Sequence, residues 1–228
     1  MRTDDPNLPY LRAVAVALGE LCERVVFVGG STAGLLLTDP AAEGVRATKD
    51  VDAIVAADTL PQFYRIEAQV AERGFVRDTE SGVICRWKHE DTGVLFDLMP
   101  VDPGILGFAN RWYPDAVQTA VPVSLGANLE IRMVTAPAFV ATKMEAFADR
   151  GKGDVLGSHD LEDVLNIVDG RVELAEEMRL APHPLREAVA SGFAGLLRHP
   201  DFSNCLPGMI ADASRAGIVM ERMRAIVG

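Results

Sequence analysis

The spacing of apolar and polar positions changes along the chain, from short apolar runs in the first 135 residues to longer periodic segments after them. The short runs predict strands at residues 24–28, 51–56, 83–89, 94–99 and 129–134. Apolar side chains three and four residues apart predict helices at residues 8–20, 33–37, 59–73, 138–150, 159–168, 175–178, 185–198 and 209–226. Residues 100–122, rich in glycine, proline and aromatic side chains, predict an irregular segment. Strands followed by helices predict an α+β chain, with a mixed-sheet lobe over residues 1–135 and a helical lobe over residues 136–228.

A glycine turn follows the first predicted strand. Gly29, Gly30 and Ser31 end the apolar run and precede a short predicted helix. Glycines let the backbone approach a phosphate closely, a helix N-terminus presents N–H groups to an anion, and the Ser31 hydroxyl can bond a terminal phosphate. An ordinary strand-to-helix turn capped by Ser31 explains the same residues. The turn is not a P-loop, because no Gly-Lys-Ser/Thr follows, and it is not the Rossmann fingerprint.

Two aspartates begin the second predicted strand, and a third lies within a later strand. Side chains alternate along a strand, so Asp50 and Asp52 project from one face while Val51 points into the core. Asp97 is the one charge on a strand whose two faces are otherwise apolar. Burying an unpaired carboxylate costs roughly several kcal/mol or forces its protonation. A divalent cation shared by Asp50, Asp52 and Asp97 removes this cost, and carboxylates with open positions for phosphate and water suit Mg²⁺.

Composition narrows the class of protein and of partner. The chain has no long apolar run and its first six residues are polar, which predicts a cytoplasmic protein without a membrane span or a signal peptide. Three scattered cysteines and four scattered histidines fit neither a disulfide framework nor a zinc site. A net charge of −11 disfavours nucleic-acid binding, with no DNA partner expected, and favours a cationic substrate or a basic protein partner.

One aromatic segment carries candidate binding chemistry inside the irregular region. Arg111 precedes Trp112 and Tyr113, so the guanidinium can bind phosphate while the rings stack on a base. Buried aromatic side chains that anchor a long loop explain the same three residues. Both interpretations of Arg111 remain open.

Two helical segments of the predicted C-terminal lobe carry further charged candidates. Lys143 shares a helical face with Arg150, which directs two cations at a phosphate or forms a solvated face. Asp160 and Asp163 are three residues apart, a spacing that fits a helix N-cap followed by an acidic residue in the first turn. Capping and catalysis are therefore rival roles for Asp160.

The order of these motifs resembles the nucleotidyltransferase fold of the DNA polymerase beta superfamily. A strand, Gly-Gly-Ser, a helix, an Asp-x-Asp strand and a later strand aspartate follow one another in that fold. Residues 29–31 and the segment Arg-Ala-Thr-Lys-Asp-Val-Asp at 46–52 are separated by a long gap and are similar to the AbiEii/MenT toxin-type branch. The resemblance continues through residues 143–150 and 160–163 and covers about residues 25–170.

The resemblance implies an enzyme that uses Mg²⁺, as two ions, to move a nucleoside monophosphate from a nucleoside triphosphate to a hydroxyl. It assigns Asp50 and Asp52 as metal ligands and gives Asp97 the place of the third strand carboxylate. The glycine turn (Gly29, Gly30, Ser31) holds the triphosphate, Lys143 contacts nucleotide phosphates, and Asp160 activates the acceptor hydroxyl. Arg111 joins the nucleotide-binding candidates on its own chemistry.

Several acceptors and two other classes of function stay open at this point. The acceptor is an RNA 3′ end, a protein side chain or a small molecule such as an aminoglycoside, and a toxin of this kind would have a cognate antitoxin. A nucleotide-binding regulatory module without transfer activity is the first alternative, disfavoured by the three aspartates. An α+β interaction protein with surface aspartates is the second.

Overall fold

The computed structural model describes residues 5–149, 154–155 and 157–228. The chain divides into two compact units, and each is described by itself. The sheet unit comprises Pro6–Thr32 and Ala47–Thr135. The helical unit comprises Ala33–Arg46 and Ala136–Gly228 together with the N-terminal Asp5.

The sheet unit is built on a mixed sheet that has seven strands within the described residues. The strands are β1 Val25–Val28, β2 Asp50–Val55, β3 Phe75–Arg77, β4 Arg86–His89, β5 Leu95–Pro100, β6 Val121–Gly126 and β7 Leu129–Met133. Their order across the sheet is β3-β4-β5-β2-β1-β7-β6. The pairs β1–β7 and β2–β5 are parallel and the other neighbours are antiparallel. This sheet and the helices that follow confirm the predicted α+β class.

The centre of the sheet is apolar because its strands consist mostly of valine, isoleucine, leucine and phenylalanine. All four residues of β1 are buried, and five residues of β2 and β5 that alternate with the aspartates are at most 1% exposed: Val51, Ala53, Val55, Phe96 and Leu98. Val51, which lies between Asp50 and Asp52, is fully buried, as the alternation predicts. The buried strands thus fix the directions in which their polar side chains project.

Helices of the sheet unit complete this core. They are α1 Leu8–Leu18, α3 Leu60–Ala71, α4 Pro103–Leu106 and α5 Tyr113–Thr119, with 3-10 helices at Gly19–Glu23 and Gly30–Thr32. Helix α3 begins where the Thr59 hydroxyl accepts a bond from the Gln62 N–H, and the chain turns at Gly74 with a φ of +80°. The predicted helix over residues 59–73 is therefore confirmed within its end turns.

The helical unit packs its helices around buried side chains that include Phe139, Leu165 and Phe193. The helices are α2 Ala33–Leu36, α6 Ala136–Asp149, α7 His159–Gly170, α8 Leu174–Leu180, α9 His183–Arg198, α10 Phe202–Cys205 and α11 Ala216–Val227, with 3-10 helices at Leu206–Gly208 and Ala213–Arg215. None of the helices in the described part of the chain has the length and apolar character needed to cross a bilayer.

Two strands were not predicted from the sequence, and two predictions of local structure need correction. Strand β3 has only three residues, and β6 is mostly exposed and contains Pro122, so neither shows a buried apolar run. The segment 100–122 is not wholly irregular, because α4 and α5 form within it. A single helix over 209–226 is wrong: the Asp212 carboxylate accepts a bond from the Ser214 N–H in a separate turn, and α11 begins only at Ala216.

Candidate active site

The glycine turn brings the end of β1 against β2. Gly29 has a φ of +74°, a conformation that favours glycine. A Cβ at Gly29 would lie 2.0 Å from Asp52 Oδ2, so the missing side chain also leaves room for that carboxylate. The Thr32 N–H and hydroxyl both donate to the Gly29 carbonyl, at 3.1 and 2.9 Å, and close the turn. The turn and the Asp52 carboxylate are thus in direct contact.

Ser31 lies inside this turn. Its side chain is fully buried, and its hydroxyl donates to the Val28 carbonyl at 3.5 Å. The helix that follows, α2, has only four residues. The backbone of Gly29 and Gly30 is half-buried and is the more accessible part of the turn.

The three predicted carboxylates lie on one face of the sheet. Asp52 is paired with Val28 of β1 on one side and with Asp97 of β5 on the other. Asp50 precedes Asp52 by two residues and therefore shares its face. Paired residues on neighbouring strands project their side chains to the same side, which brings Asp50, Asp52 and Asp97 together.

Arg86 of β4 joins this group and is the residue that the sequence analysis missed. It is paired with Asp97 across the antiparallel β4–β5 hairpin. Its Nε donates to Asp97 Oδ1 at 2.8 Å and its Nη2 to Asp97 Oδ2 at 2.7 Å, a bidentate pair. The same Nη2 donates to Asp50 Oδ2 at 2.5 Å. One guanidinium thus spans two of the three carboxylates.

The sequence predicted that a divalent cation offsets the buried charge of Asp97, and in the structure Arg86 offsets it. The Asp97 side chain is 8% exposed and its carboxylate has a protein partner for each oxygen. A signal in the sequence pointed to Arg86. The predicted strands 83–89 and 94–99 are separated by four residues, and a hairpin between them pairs His89 with Val94 and places residue 86 opposite residue 97.

The remaining contacts of the site involve the second oxygen of Asp50, the charge of Arg86 and the neighbouring Cys85. Asp50 Oδ1 accepts a bond from the Thr48 hydroxyl at 2.6 Å, so both Asp50 oxygens have donors. The hydrogen bonds to Asp97 raise the pKa of the Arg86 guanidinium further above its already high value, and it stays charged. Burial raises the pKa of the neighbouring Cys85 thiol to about 12, and the charges of Asp97 and Asp52 add to that effect. Burial therefore disfavours the thiolate form of Cys85.

The donor chemistry of the site fits a hard divalent cation, while its present geometry is closed around Arg86. Carboxylate oxygens on one face of a sheet are the ligands that Mg²⁺ prefers. Within residues 5–149, 154–155 and 157–228, however, no group of three or more His, Cys, Asp or Glu side chains is arranged to hold a metal ion. Asp50 and Asp52 are the carboxylates with solvent access, since the Asp50 side chain is 30% exposed and Asp52 is half-buried.

Arg111 belongs to the sheet unit and contacts an aromatic ring. Its guanidinium carbon lies 4.7 Å from the centre of the Trp112 ring, and Trp112 is buried. The Tyr113 hydroxyl donates to the Met99 sulfur at 3.3 Å. These contacts fit the anchoring of the segment by buried aromatic side chains, with the exposed Arg111 covering one of them.

Lys143 and Asp160 belong to the helical unit, where they pair with each other. Lys143 Nζ lies 3.0 Å from Asp160 Oδ1 and 2.7 Å from Asp163 Oδ2. Burial alone would lower the pKa of the Lys143 ammonium, but the two carboxylates, Asp163 first, outweigh it and raise the pKa. Ser158, not Asp160, caps α7, because its hydroxyl accepts the Leu161 N–H. Arg150, the expected second cation of this face, lies outside the described residues.

Comparison with known proteins gives structural likenesses at low sequence identity. No protein-family model matches the chain, and no curated protein does. The antibiotic-resistance factor ANT(2'')-Ia is 16% identical with a TM-score of 0.48, over 83% of this chain and 94% of that one. An H. pylori protein assigned as a nucleotidyltransferase is 12% identical with a TM-score of 0.46, over 100% and 96%. JHP933 from Helicobacter pylori is 12% identical with a TM-score of 0.42, over 96% and 89%.

Proposed function

We propose that this chain is a nucleotidyltransferase that moves a nucleoside monophosphate from a nucleoside triphosphate to a hydroxyl acceptor. The observation that carries the proposal is the meeting of Asp50, Asp52 and Asp97 on one sheet face, with Asp52 against the Gly29 turn. Oxygen ligands for a divalent cation thus adjoin a backbone that a phosphate can approach closely. Neither feature would be specific alone.

The proposed roles divide between the carboxylates and the turn. Asp50 and Asp52 would hold Mg²⁺, with Asp97 as the third carboxylate. When bound, the two ions would supply charge neutralisation on the triphosphate and orient the leaving pyrophosphate. Gly29 and Gly30 would hold the triphosphate through the backbone, while buried Ser31 fixes the turn from within.

Arg111 and the helical-unit residues have less direct support. Arg111 is exposed over Trp112 and would bind a phosphate from that position. Lys143 and Asp160 enter through the family resemblance, as a phosphate contact and as the residue that activates the acceptor. Because Lys143 already contacts two carboxylates, a phosphate contact would compete with Asp160 and Asp163.

The acceptor is proposed to be small or cationic. A chain with a net charge of −11 repels a polyanion, so an RNA 3′ end is disfavoured against a small molecule or a basic protein. The alternative is that the chain is a toxin that modifies RNA and is bound by a cognate antitoxin.

A second candidate function is nucleotide binding without transfer. It is favoured by one observation: both oxygens of Asp50 and both of Asp97 are engaged by Arg86 and Thr48. Calorimetry separates the two candidates, because a regulatory module would bind nucleoside triphosphate as well with EDTA as with Mg²⁺. Absence of nucleotide binding under both conditions would exclude both.

The proposed transfer is tested by incubating the protein with each α-labelled nucleoside triphosphate, Mg²⁺ and separate RNA, protein and small-molecule fractions. We expect one nucleotide to label the small-molecule or the protein fraction. Asp52→Ala should abolish labelling with the fold retained, as judged by circular dichroism. Asp58→Ala is the matched control, since Asp58 is an exposed aspartate of the same unit outside the site. Undiminished labelling by Asp52→Ala would refute the proposed metal site.

A further inference from the structure

Arg86 is placed where a cation of the proposed site would be expected. Its side chain is 15% exposed, and its guanidinium contacts Asp97 through two nitrogens and Asp50 through one of them. We propose that Arg86 is a positioning residue that substitutes for a divalent cation, holds Asp50 and Asp97 together, and releases Asp50 when a metal binds. This inference rests on the proposed function.

Charge balance supports an exchange between Arg86 and a metal. Three carboxylates within one group repel one another, and the repulsion is strong because Asp97 is shielded from water. Arg86 offsets one of the three formal charges and leaves two, which is the charge of one divalent cation. The group is thus stable before a metal binds and is still negative enough to attract one.

The contacts of Arg86 with Asp97 and with Asp50 differ in geometry and in exposure. This difference determines which of the two contacts breaks when a metal binds. Asp97 is buried and receives two parallel N–H bonds, a geometry that guanidinium and carboxylate match closely. Asp50 receives a single bond from Arg86 and its side chain is 30% exposed, so water and a metal ion can reach it. Exchange therefore takes place at Asp50 Oδ2, while the pair with Asp97 persists.

Another arginine of the same sheet, Arg77, forms an ion pair outside the aspartate group. Arg77 of β3 pairs with Glu67 of α3 and lies 4.5 Å from the centre of the Trp87 ring. Among the described residues its guanidinium pairs with one carboxylate, and that carboxylate lies outside the aspartate group. Arg77 therefore offers a matched control for any loss of stability in an Arg86 variant.

The test measures Mn²⁺ affinity by calorimetry, together with the melting temperature without metal, in the full-length chain. We expect Arg86→Gln to lower the metal-free melting temperature and to raise Mn²⁺ affinity by roughly tenfold or more, because a competing positive charge is removed. Arg86→Lys keeps the charge but cannot span both carboxylates, so its Mn²⁺ affinity should stay within about threefold of wild type. Arg77→Gln should lower the melting temperature and leave Mn²⁺ affinity unchanged.

A measurement on the wild-type chain covers the case in which Arg86→Gln does not fold. The guanidinium ¹⁵N resonance of Arg86, assigned by its absence in Arg86→Lys, should shift as Mg²⁺ is added, while that of Arg77 stays in place. An Arg86 resonance that does not move, or a folded Arg86→Gln with unchanged or weaker Mn²⁺ affinity, overturns the exchange and leaves the proposed function standing. Absence of Mn²⁺ binding in wild type and Arg86→Gln alike overturns both.

Discussion

Gly29 meets two physical requirements at one position. Its backbone adopts a φ of +74°, and the space where a Cβ would lie is filled by the Asp52 carboxylate. The first requirement is met by glycine in many turns. The second ties the turn to the proposed metal site, and the sequence alone did not reveal it, because it depends on the register of β1 with β2.

Gly29→Ala tests this double role. We expect the substitution to destabilise the chain by about 1–3 kcal/mol through backbone strain and to weaken Mn²⁺ binding as the Asp52 carboxylate is displaced. Gly107→Ala is the matched control, since Gly107 has a φ of +83° and open space around its Cβ position. Urea unfolding and Mn²⁺ calorimetry measure the two effects. Equal Mn²⁺ affinity in the two variants would show that Asp52 does not depend on Gly29.

Asp97→Asn tests whether the Asp97 carboxylate is needed as a partner of Arg86 and as a metal ligand. Because Arg86 would lose the more buried of its two charged partners, we expect a loss of roughly 3 kcal/mol of unfolding free energy. We also expect weaker Mg²⁺ binding if Asp97 completes the site. A variant with raised thermal stability and unchanged Mg²⁺ affinity would show that Asp97 is neither a needed partner of Arg86 nor a metal ligand.

Individual residues of the site were predictable to different degrees. Asp50 and Asp52 follow from alternation along a strand, and both project as predicted. The register of the hairpin could have predicted the contact of Arg86 with Asp97. Arg86 was missed because this contact becomes visible only when two strands are paired, and not from the pattern of one strand. The engagement of Lys143 by Asp160 and Asp163 was beyond the sequence, since helix packing between α6 and α7 determines it.

At the scale of elements, buried strands and long helices were predicted and edge elements were not. β1, β2 and β5 are central in the sheet and mostly apolar, with the aspartates as the charged exceptions in β2 and β5. β3 and β6 form the two edges of the sheet and have polar or exposed residues, which gives no periodic signal. The formation of such short edge strands therefore depends on the neighbouring strands that pair with them, and their own sequences do not predict it.

The start of α7 provides a prediction at this scale. Ser158 accepts the Leu161 N–H, so Ser158→Ala should cost about 1 kcal/mol of unfolding free energy and speed hydrogen exchange at Leu161. Asp160→Ala should leave exchange at Leu161 nearly unchanged, because its carboxylate pairs with Lys143. Faster exchange in Asp160→Ala than in Ser158→Ala would return the capping role to Asp160.

At the scale of the whole molecule, contacts that are distant in sequence define the helical unit. The segment Ala33–Arg46 belongs to it although it lies between β1 and β2 in the chain. Arg215 makes 2.7 Å contacts with Asp39 and with Asp169, and the N–H groups of Thr38 and Asp39 donate to the Gly170 carbonyl. The sequence could not show this, because 176 residues separate Asp39 from Arg215.

The ion pair of Asp39 with Arg215 makes part of the free energy of unfolding depend on pH. The hydrogen bond from Arg215 lowers the pKa of Asp39 from 3.8 to about 2. A depressed pKa means that the stabilisation is present above pH 3.8 and is lost as pH falls towards 2. Asp39→Asn should therefore be less stable than wild type at pH 6, and the gap should close between pH 4 and pH 2 in urea titrations. A gap that does not change with pH would contradict the assigned pKa.

For the whole molecule, the proposed function requires that the carboxylates of the sheet unit support nucleotidyl transfer. The most direct measurement counts both products of one reaction with an α-labelled nucleoside triphosphate and the accepting fraction. We predict one pyrophosphate released for each nucleotide attached, with the reaction stopped by EDTA and lost in Asp52→Asn. Release of orthophosphate in place of pyrophosphate, or transfer that is undiminished in Asp52→Asn, would contradict a nucleotidyltransferase built on Asp50, Asp52 and Asp97.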